Sequence, residues 1–208
     1  QKKLKGNYFD NFVSLTFDFD KRNQKFQTSQ GFRNYFKTDI PLISETNTLA
    51  NTFITTNYFE FLNNNVLISS FYFNNSNSLT GDNIKLSERL YLPSNRLRGF
   101  ESGKVGPKDG DDFIGGNYIS SINFSSDIPK LFENSQTTDF KMFLDIANVW
   151  GVDYDSGLEA SDDIKSALGI GLDWYSPIGP MNFTLSQPLS KGPTDITESF
   201  RFNLGTTF

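Results

Sequence analysis

The sequence predicts an all-β fold: a transmembrane antiparallel β-barrel to which this chain contributes nine strands. Three observations predict it. Apolar and polar residues alternate with a period of two along most of the chain, the pattern of strands with two unlike faces. The alternating runs are mostly about ten residues or slightly more, the length a tilted strand needs to cross a bilayer; strands of ordinary globular domains average roughly five or six. Tight turns tend to alternate with longer polar connections, the habit of a barrel in an outer membrane.

In order, the strands are expected at residues 9–20, 31–40, 49–62, 65–74, 117–128, 139–150, 164–175, 179–189 and 198–208. The second and third alternate ambiguously; the last four are clearer. In FKMFLDIANVW, Phe140, Met142, Leu144, Ile146 and Trp150 share a face, against Lys141, Phe143, Asp145, Ala147 and Val149. In IKSALGIGLDW, Ile164, Leu168, Ile170, Leu172 and Trp174 oppose Lys165, Ala167, Gly169, Gly171 and Asp173. Met181, Phe183, Leu185 and Leu189 oppose Asn182, Thr184 and Ser186. The ending ESFRFNLGTTF sets Phe200, Phe202, Leu204 and Phe208 against Arg201, Asn203, Gly205 and Thr207.

The connections QTSQG, NNN and SPIG are tight, and Pro177 and Gly179 suit a turn because proline fixes φ and glycine permits positive φ. PLISETNTL, residues 75–116 and GVDYDSGLEASDD are long, while PKLFENSQTT is longer than its short-turn side suggests. This rhythm places the two ends of nine strands on opposite sides. A single-chain bacterial barrel has an even strand count, so the chain reads as the C-terminal part of something longer. Its start, QKKLKGNYFD, is basic without an apolar stretch, so no signal peptide is visible. A water-soluble β-sandwich also alternates, but strand length and the Phe-rich faces argue against it.

Composition narrows the function. The 208 residues hold 22 Phe and 15% aromatics, yet only 37% are hydrophobic, and mean hydropathy is −0.42. No run approaches the roughly 18 apolar residues of a spanning helix; a barrel escapes that requirement because only alternate residues face lipid. A net charge of −5 argues against nucleic acid as a partner, since phosphate binding wants clustered Lys and Arg. Cysteine and histidine are absent, which removes disulfides, thiolate metal sites, the usual zinc sites and the commonest general base. No nucleophile–base set is apparent, so the reading is of a protein that is not an enzyme and has no cofactor.

Residues 75–116 lack a convincing strand through most of their length, and a loop that long inside a compact domain is functional or disordered. Its second half contains RLRGFESGKVGP. The glycines permit sharp reversals but do not form a dinucleotide fingerprint, and GFESGKV is no phosphate loop because it is a residue short and lacks Ser or Thr after the lysine.

RLRGFESGKVGP resembles the signature of the long sixth extracellular loop in the BamA-like family of outer-membrane protein assembly factors, through Leu97, Arg98, Gly99 and Phe100 followed by Gly106 and Pro107. MFLDIANVW resembles the strand that receives this loop, through Phe143 and Asp145. ALGIGLDWYSPIGP resembles the next strand, with Ala167 and Gly169 in its small-residue element and alanine where serine or glycine is usual. SQPLSK and FRFNLGTTF resemble the last two strands. The likeness runs from about residue 27 to 208 and is densest after residue 94.

The resemblance implies a sixteen-stranded parent barrel in the outer membrane of a Gram-negative bacterium, preceded by POTRA domains, with residues 75–116 folded into its lumen. It implies insertion and folding of unfolded outer-membrane protein clients at a lateral seam, with accessory lipoproteins bound through the N-terminal domains and the lipid bilayer as surroundings. It also implies that Arg98 pairs with Asp145 inside the barrel. Spacing alone leaves these as two independent solvated charges, but the alternation places Phe143, Asp145, Ala167 and Gly169 on the polar face, where a loop could reach them. A secretion pore of the two-partner type shares the loop motif and stays open as an alternative; a passive porin-like channel fits less well.

The ending, with Phe200, Phe202, Leu204, Gly205 and Phe208, resembles the strand signal by which outer-membrane proteins are recognised for insertion, where a strand is offered to an open sheet edge. Terminal aromatics at the membrane interface would look the same. The acidic stretches 109–112 and 153–163 depart from a calcium loop at Gly157 and Ile164 and read as solvated. The sequons at Asn123 and Asn182 fall inside strands and are discounted.

Overall fold

The computed structural model describes residues 9–25, 28–44, 47–61, 65–127, 137–153, 158–159, 163–177 and 179–205. Each alternating run forms a strand. The elements are β1 (Asp10–Asp20), β2 (Gly31–Ser44), β3 (Thr48–Phe61), β4 (Asn65–Ser78), β5 (Lys108–Asp109), β6 (Asp112–Phe113), β7 (Tyr118–Asp127), β8 (Thr138–Trp150), β9 (Leu158–Glu159), β10 (Lys165–Ser176), β11 (Gly179–Ser190) and β12 (Phe200–Leu204). Nine of them form one sheet in the order β1-β2-β3-β4-β7-β8-β10-β11-β12, while β6-β5-β9 make a small second sheet from two connections. Every pairing in the large sheet is antiparallel.

Register aligns like with like, so the sheet has two distinct faces. On one, Phe17 lies opposite Phe36, Phe36 opposite Phe53 and Phe53 opposite Phe73, a row of rings across four strands. Phe140, Leu172, Phe183 and Phe202 make a second row across β8, β10, β11 and β12. This face is bare: Phe17, Met142, Leu185 and Leu204 are all exposed.

The other face is covered around its centre by the segment after β4. Leu92, Leu97, Phe100 and Val105 from that segment pack with Tyr72, Ile119, Ala147, Val149 and Ala167 of the sheet. Each large side chain so buried stabilises the docked segment by about 1.5–3 kcal/mol. The segment also touches both ends of the sheet. Lys85 Nζ is 3.3 Å from Asp10 of β1, and Arg201 of β12 donates to the carbonyls of Ser94 and Phe100.

Several boundaries differ from the sequence reading, each for a physical reason. The connection expected at 41–49 shrinks, because β2 runs to Ser44 and β3 starts at Thr48. Pro41 lies opposite Phe12 beside a register shift; a bulge tolerates a residue with no N–H to give the ladder. Beyond it Leu42 and Ile43 are both exposed, which is why strict alternation fails there. Residues 75–78, read with the long segment, extend β4. Asp153, read as part of a solvated acidic loop, turns inward and accepts from Ile84 N at 2.8 Å and Asn117 Nδ2 at 2.7 Å. The rest of that loop, residues 154–157 and 160–162, falls outside the described residues, as does Phe208.

Candidate functional site

The site begins with the pleat of β8. Alternation turns Phe143, Asp145, Ala147 and Val149 to the covered face, and all four are buried. A carboxylate at 0% exposure requires partners for its lone pairs. Asp145 receives them from the loop and from the neighbouring strand. Arg98 Nε donates to Oδ2 and Arg98 Nη2 to Oδ1, both at 2.8 Å, the two-pronged geometry that only guanidinium offers. The Arg98 backbone N–H adds a bond to Oδ2 at 3.0 Å, and Asn123 Nδ2 on β7 donates to Oδ1 at 2.8 Å.

Arg98 is held from below as well. Its guanidinium carbon lies 3.5 Å from the centroid of the Phe143 ring, a cation–π contact strengthened by exclusion of water. The ring in turn depends on Gly169 of β10, opposite Phe143 in register. A Cβ at Gly169 would fall 2.4 Å from Phe143 Cζ and 2.4 Å from the Leu185 carbonyl oxygen of β11. The small residue on one strand therefore makes the seat for the aromatic that carries the arginine.

Gly99 has two constraints. Its φ is +93°, and a Cβ there would lie 3.1 Å from Ala167 Cβ and 3.3 Å from Ser186 Cβ. Glycine is the residue that accepts both the left-handed conformation and the close approach. Leu97 and Phe100, on either side, are 2% and 1% exposed. Residues 97–100 thus alternate between core anchor, charge clasp, reversal and core anchor.

The structure brings Leu97, Arg98, Gly99, Phe100, Phe143, Asp145, Ala167 and Gly169 together. The terminal residues Phe200, Phe202 and Leu204 stand apart from them on the bare face and are exposed. Gly205 closes β12 with φ +106° and donates its N–H to Pro180 O at 2.8 Å.

Sequence reasoning missed three contributors. Asn123, discounted as a sequon, links the clasp to the loop backbone by a second bond to Arg96 O at 2.8 Å. Arg96 lies over the Tyr72 ring at 4.9 Å and donates to Ser70 Oγ at 2.9 Å; burial pulls its guanidinium below the usual arginine range, opposed by Tyr72 and Asp145. Asp195, between β11 and β12, accepts from Gly106 N at 3.1 Å and Gly192 N at 2.6 Å. The signal for Asn123 was its place on the polar face of an otherwise apolar strand, and for Arg96 its place two residues before Arg98; nothing local marks Asp195.

The whole chain, residues 1–208, matches the family described as the Omp85 superfamily domain. The chain belongs to the Omp85 superfamily. It is 30% identical over 139 residues to the outer membrane protein assembly factor BamA of Neisseria meningitidis serogroup B, across 54% of this chain and 17% of that protein. It is 26% identical over 132 residues to BamA of Neorickettsia risticii, across 62% of this chain and 18% of that protein. The chain thus spans under a fifth of the length of these curated relatives. Its fold is similar to the crystal structure of BamA from Haemophilus ducreyi lacking POTRA domains 1-3, with a TM-score of 0.80 and 22% identity over 91% of this chain and 41% of that one. As an Omp85 protein its location is the bacterial outer membrane, as the sequence resemblance implied.

Proposed function

We propose that this chain is the barrel portion of an outer-membrane protein assembly factor. In this reading residues 1–208 form one domain, the C-terminal nine strands of a sixteen-stranded transmembrane barrel. The bare face meets lipid, the covered face lines the lumen, and the segment after β4 is a lumenal brace. The rows of phenylalanine on the bare face suit hydrocarbon. One segment touching both β1 and β12 supports a sheet curled around it: flat, eight spacings of roughly 4.8 Å would separate those strands by about 38 Å.

The observation that carries the reading is the clasp between Arg98 and Asp145. β12 pairs with β11 on one side, and in the parent barrel its other side would face the first strand across the seam. A strand edge offers a row of main-chain donors and acceptors, so an unfolded outer-membrane client can add a strand there and fold against it. No covalent chemistry is needed. POTRA domains and accessory lipoproteins would deliver clients to the seam.

The test is the full-length protein in cells depleted of their own assembly factor, with folded outer-membrane proteins measured by their heat-modifiable gel mobility. Charge reversal at either residue, Arg98→Glu or Asp145→Arg, is expected to lower folded clients, and the double reversal to restore part of the loss. Full activity of both single reversals would overturn the reading. Normal client folding combined with loss of export of one soluble partner would instead make the chain a secretion pore.

A further inference from the structure

The terminal strand begins at Phe200, two residues later than its alternation predicts, and the long loop is the reason. The β11–β12 ladder ends where Ser186 N–H bonds Ser199 O at 2.9 Å. Upstream of that point the backbone pairs with the loop instead. Glu198 N donates to Gly99 O at 3.0 Å, Glu101 N to Ile196 O at 2.9 Å, and Ile196 N to Lys104 O at 3.1 Å, with an antiparallel bridge between Phe100 and Thr197. The residues beside the Arg98 clasp are thus bonded directly to the approach of the last strand.

Arg201 is the side chain that joins the two. It projects from β12 to the covered face, with its side chain 15% exposed. Its Nη1 donates to Ser94 O at 3.1 Å and its Nη2 to Phe100 O at 2.6 Å. Its Nε and Nη2 both reach Glu198 Oε2, at 2.8 and 2.6 Å, so Glu198 orients the guanidinium while the loop carbonyls receive it. A cavity of about 270 Å³ opens beside this grip and is lined by Arg98, Lys141, Asp173 and Arg201.

We propose that Arg201 is a positioning residue for the terminal strand: by holding the carbonyls of Ser94 and Phe100, it makes the seating of the loop set how firmly β12 stays zipped to β11. The proposal rests on the reading of β12 as the seam, but its mechanics do not require that any client binds. A loop seated on Asp145 pins the approach to β12 and keeps the edge short and still. A loop released from Asp145 frees residues 195–201 and loosens the edge. Arginine suits the task because its planar fork serves two carbonyls and a carboxylate at once.

The experiment is amide hydrogen exchange, read by mass spectrometry, on the full-length protein in lipid nanodiscs without clients. For R201Q, peptides spanning 196–204 are expected to exchange about tenfold faster, while peptides from β8 and β10 keep wild-type rates, because local opening reports local stability. E198Q, which leaves both carbonyl contacts, is expected to change exchange by less than about threefold. D145N is expected to accelerate 196–204 as R201Q does, through the loop. Wild-type exchange at 196–204 in R201Q, or equal acceleration across β8, β10 and β12, would overturn the proposal. Should R201Q fail to fold, R201K is read the same way, since it keeps the charge and loses the fork. Client folding is measured separately, so failure here leaves the assembly reading standing.

Discussion

Gly169 and Phe143 lie opposite one another on β10 and β8, and the ring occupies the space a side chain at 169 would fill, with only 2.4 Å between a Cβ there and Phe143 Cζ. The ring so placed supports the Arg98 guanidinium 3.5 Å above its centroid. Loop seating therefore depends on a glycine that never touches the loop's arginine.

Gly169→Ala is accordingly expected to push Phe143 from its seat. Overpacking of this kind costs about 1–3 kcal/mol. The urea midpoint of the barrel, followed by gel mobility, should fall, and Phe143→Leu in the same chain should recover part of the loss by making room. A Gly169→Ala protein as stable as wild type would show that neither the ring nor the Leu185 carbonyl, also 2.4 Å from such a Cβ, closes this space.

Loss of the Asp145 charge should be far costlier than loss of a peripheral pair. Asp145 is wholly buried and accepts all three Arg98 bonds, so D145A leaves a guanidinium without its partner, a change costing on the order of 3–5 kcal/mol. Arg33 and Asp18 face each other at 2.7 Å with side chains 42% and 40% exposed. D18A should cost no more than about 1 kcal/mol. Equal unfolding midpoints for the two variants would contradict this ranking.

Asn123→Ala removes two donated bonds at once, to Asp145 Oδ1 and to Arg96 O. At about 0.5–1.5 kcal/mol for an ordinary hydrogen bond and more to a charged group, the expected loss is about 2 kcal/mol. Proteolysis within residues 79–116 should quicken as the loop lifts more often. Unchanged cleavage would mean that Asn123 only decorates the clasp.

Gly99→Ala meets two obstacles together, a φ of +93° and Ala167 Cβ at 3.1 Å. Positive φ alone costs a non-glycine residue about 1 kcal/mol or more. The variant should therefore lose more stability than Gly103→Ala, which has positive φ but nothing within 4 Å. Matching midpoints for the two would show that the close approach to Ala167 carries no energy.

Much of this arrangement was legible in the sequence because strands announce themselves locally. The alternation of β8 and β10 placed Asp145, Phe143, Ala167 and Gly169 on one face, and the structure buries Asp145, Phe143 and Ala167 there. The bulge at Pro41 and Leu42 blurred β2 because an extra residue shifts every later side chain to the other face. The docking of residues 195–201 onto the loop was illegible for a different reason. Glu101 N to Ile196 O and Ile196 N to Lys104 O are main-chain bonds between segments far apart in sequence, and such bonds leave no trace in side-chain pattern. Asp153 was misread because an acidic run looks solvated until a buried arginine, here Arg89 at 3.4 Å, turns one member inward.

The central claim is that Arg98 and Asp145 act as one unit. A double-mutant cycle with Arg98→Gln, Asp145→Asn and the pair, measured as unfolding free energy of the full-length protein in lipid, tests it most directly. A clasp predicts a coupling of about 2 kcal/mol, with the double variant losing far less than the sum of the singles. Additive losses, agreeing within about 0.5 kcal/mol, would mean that the two residues are neighbours without being partners.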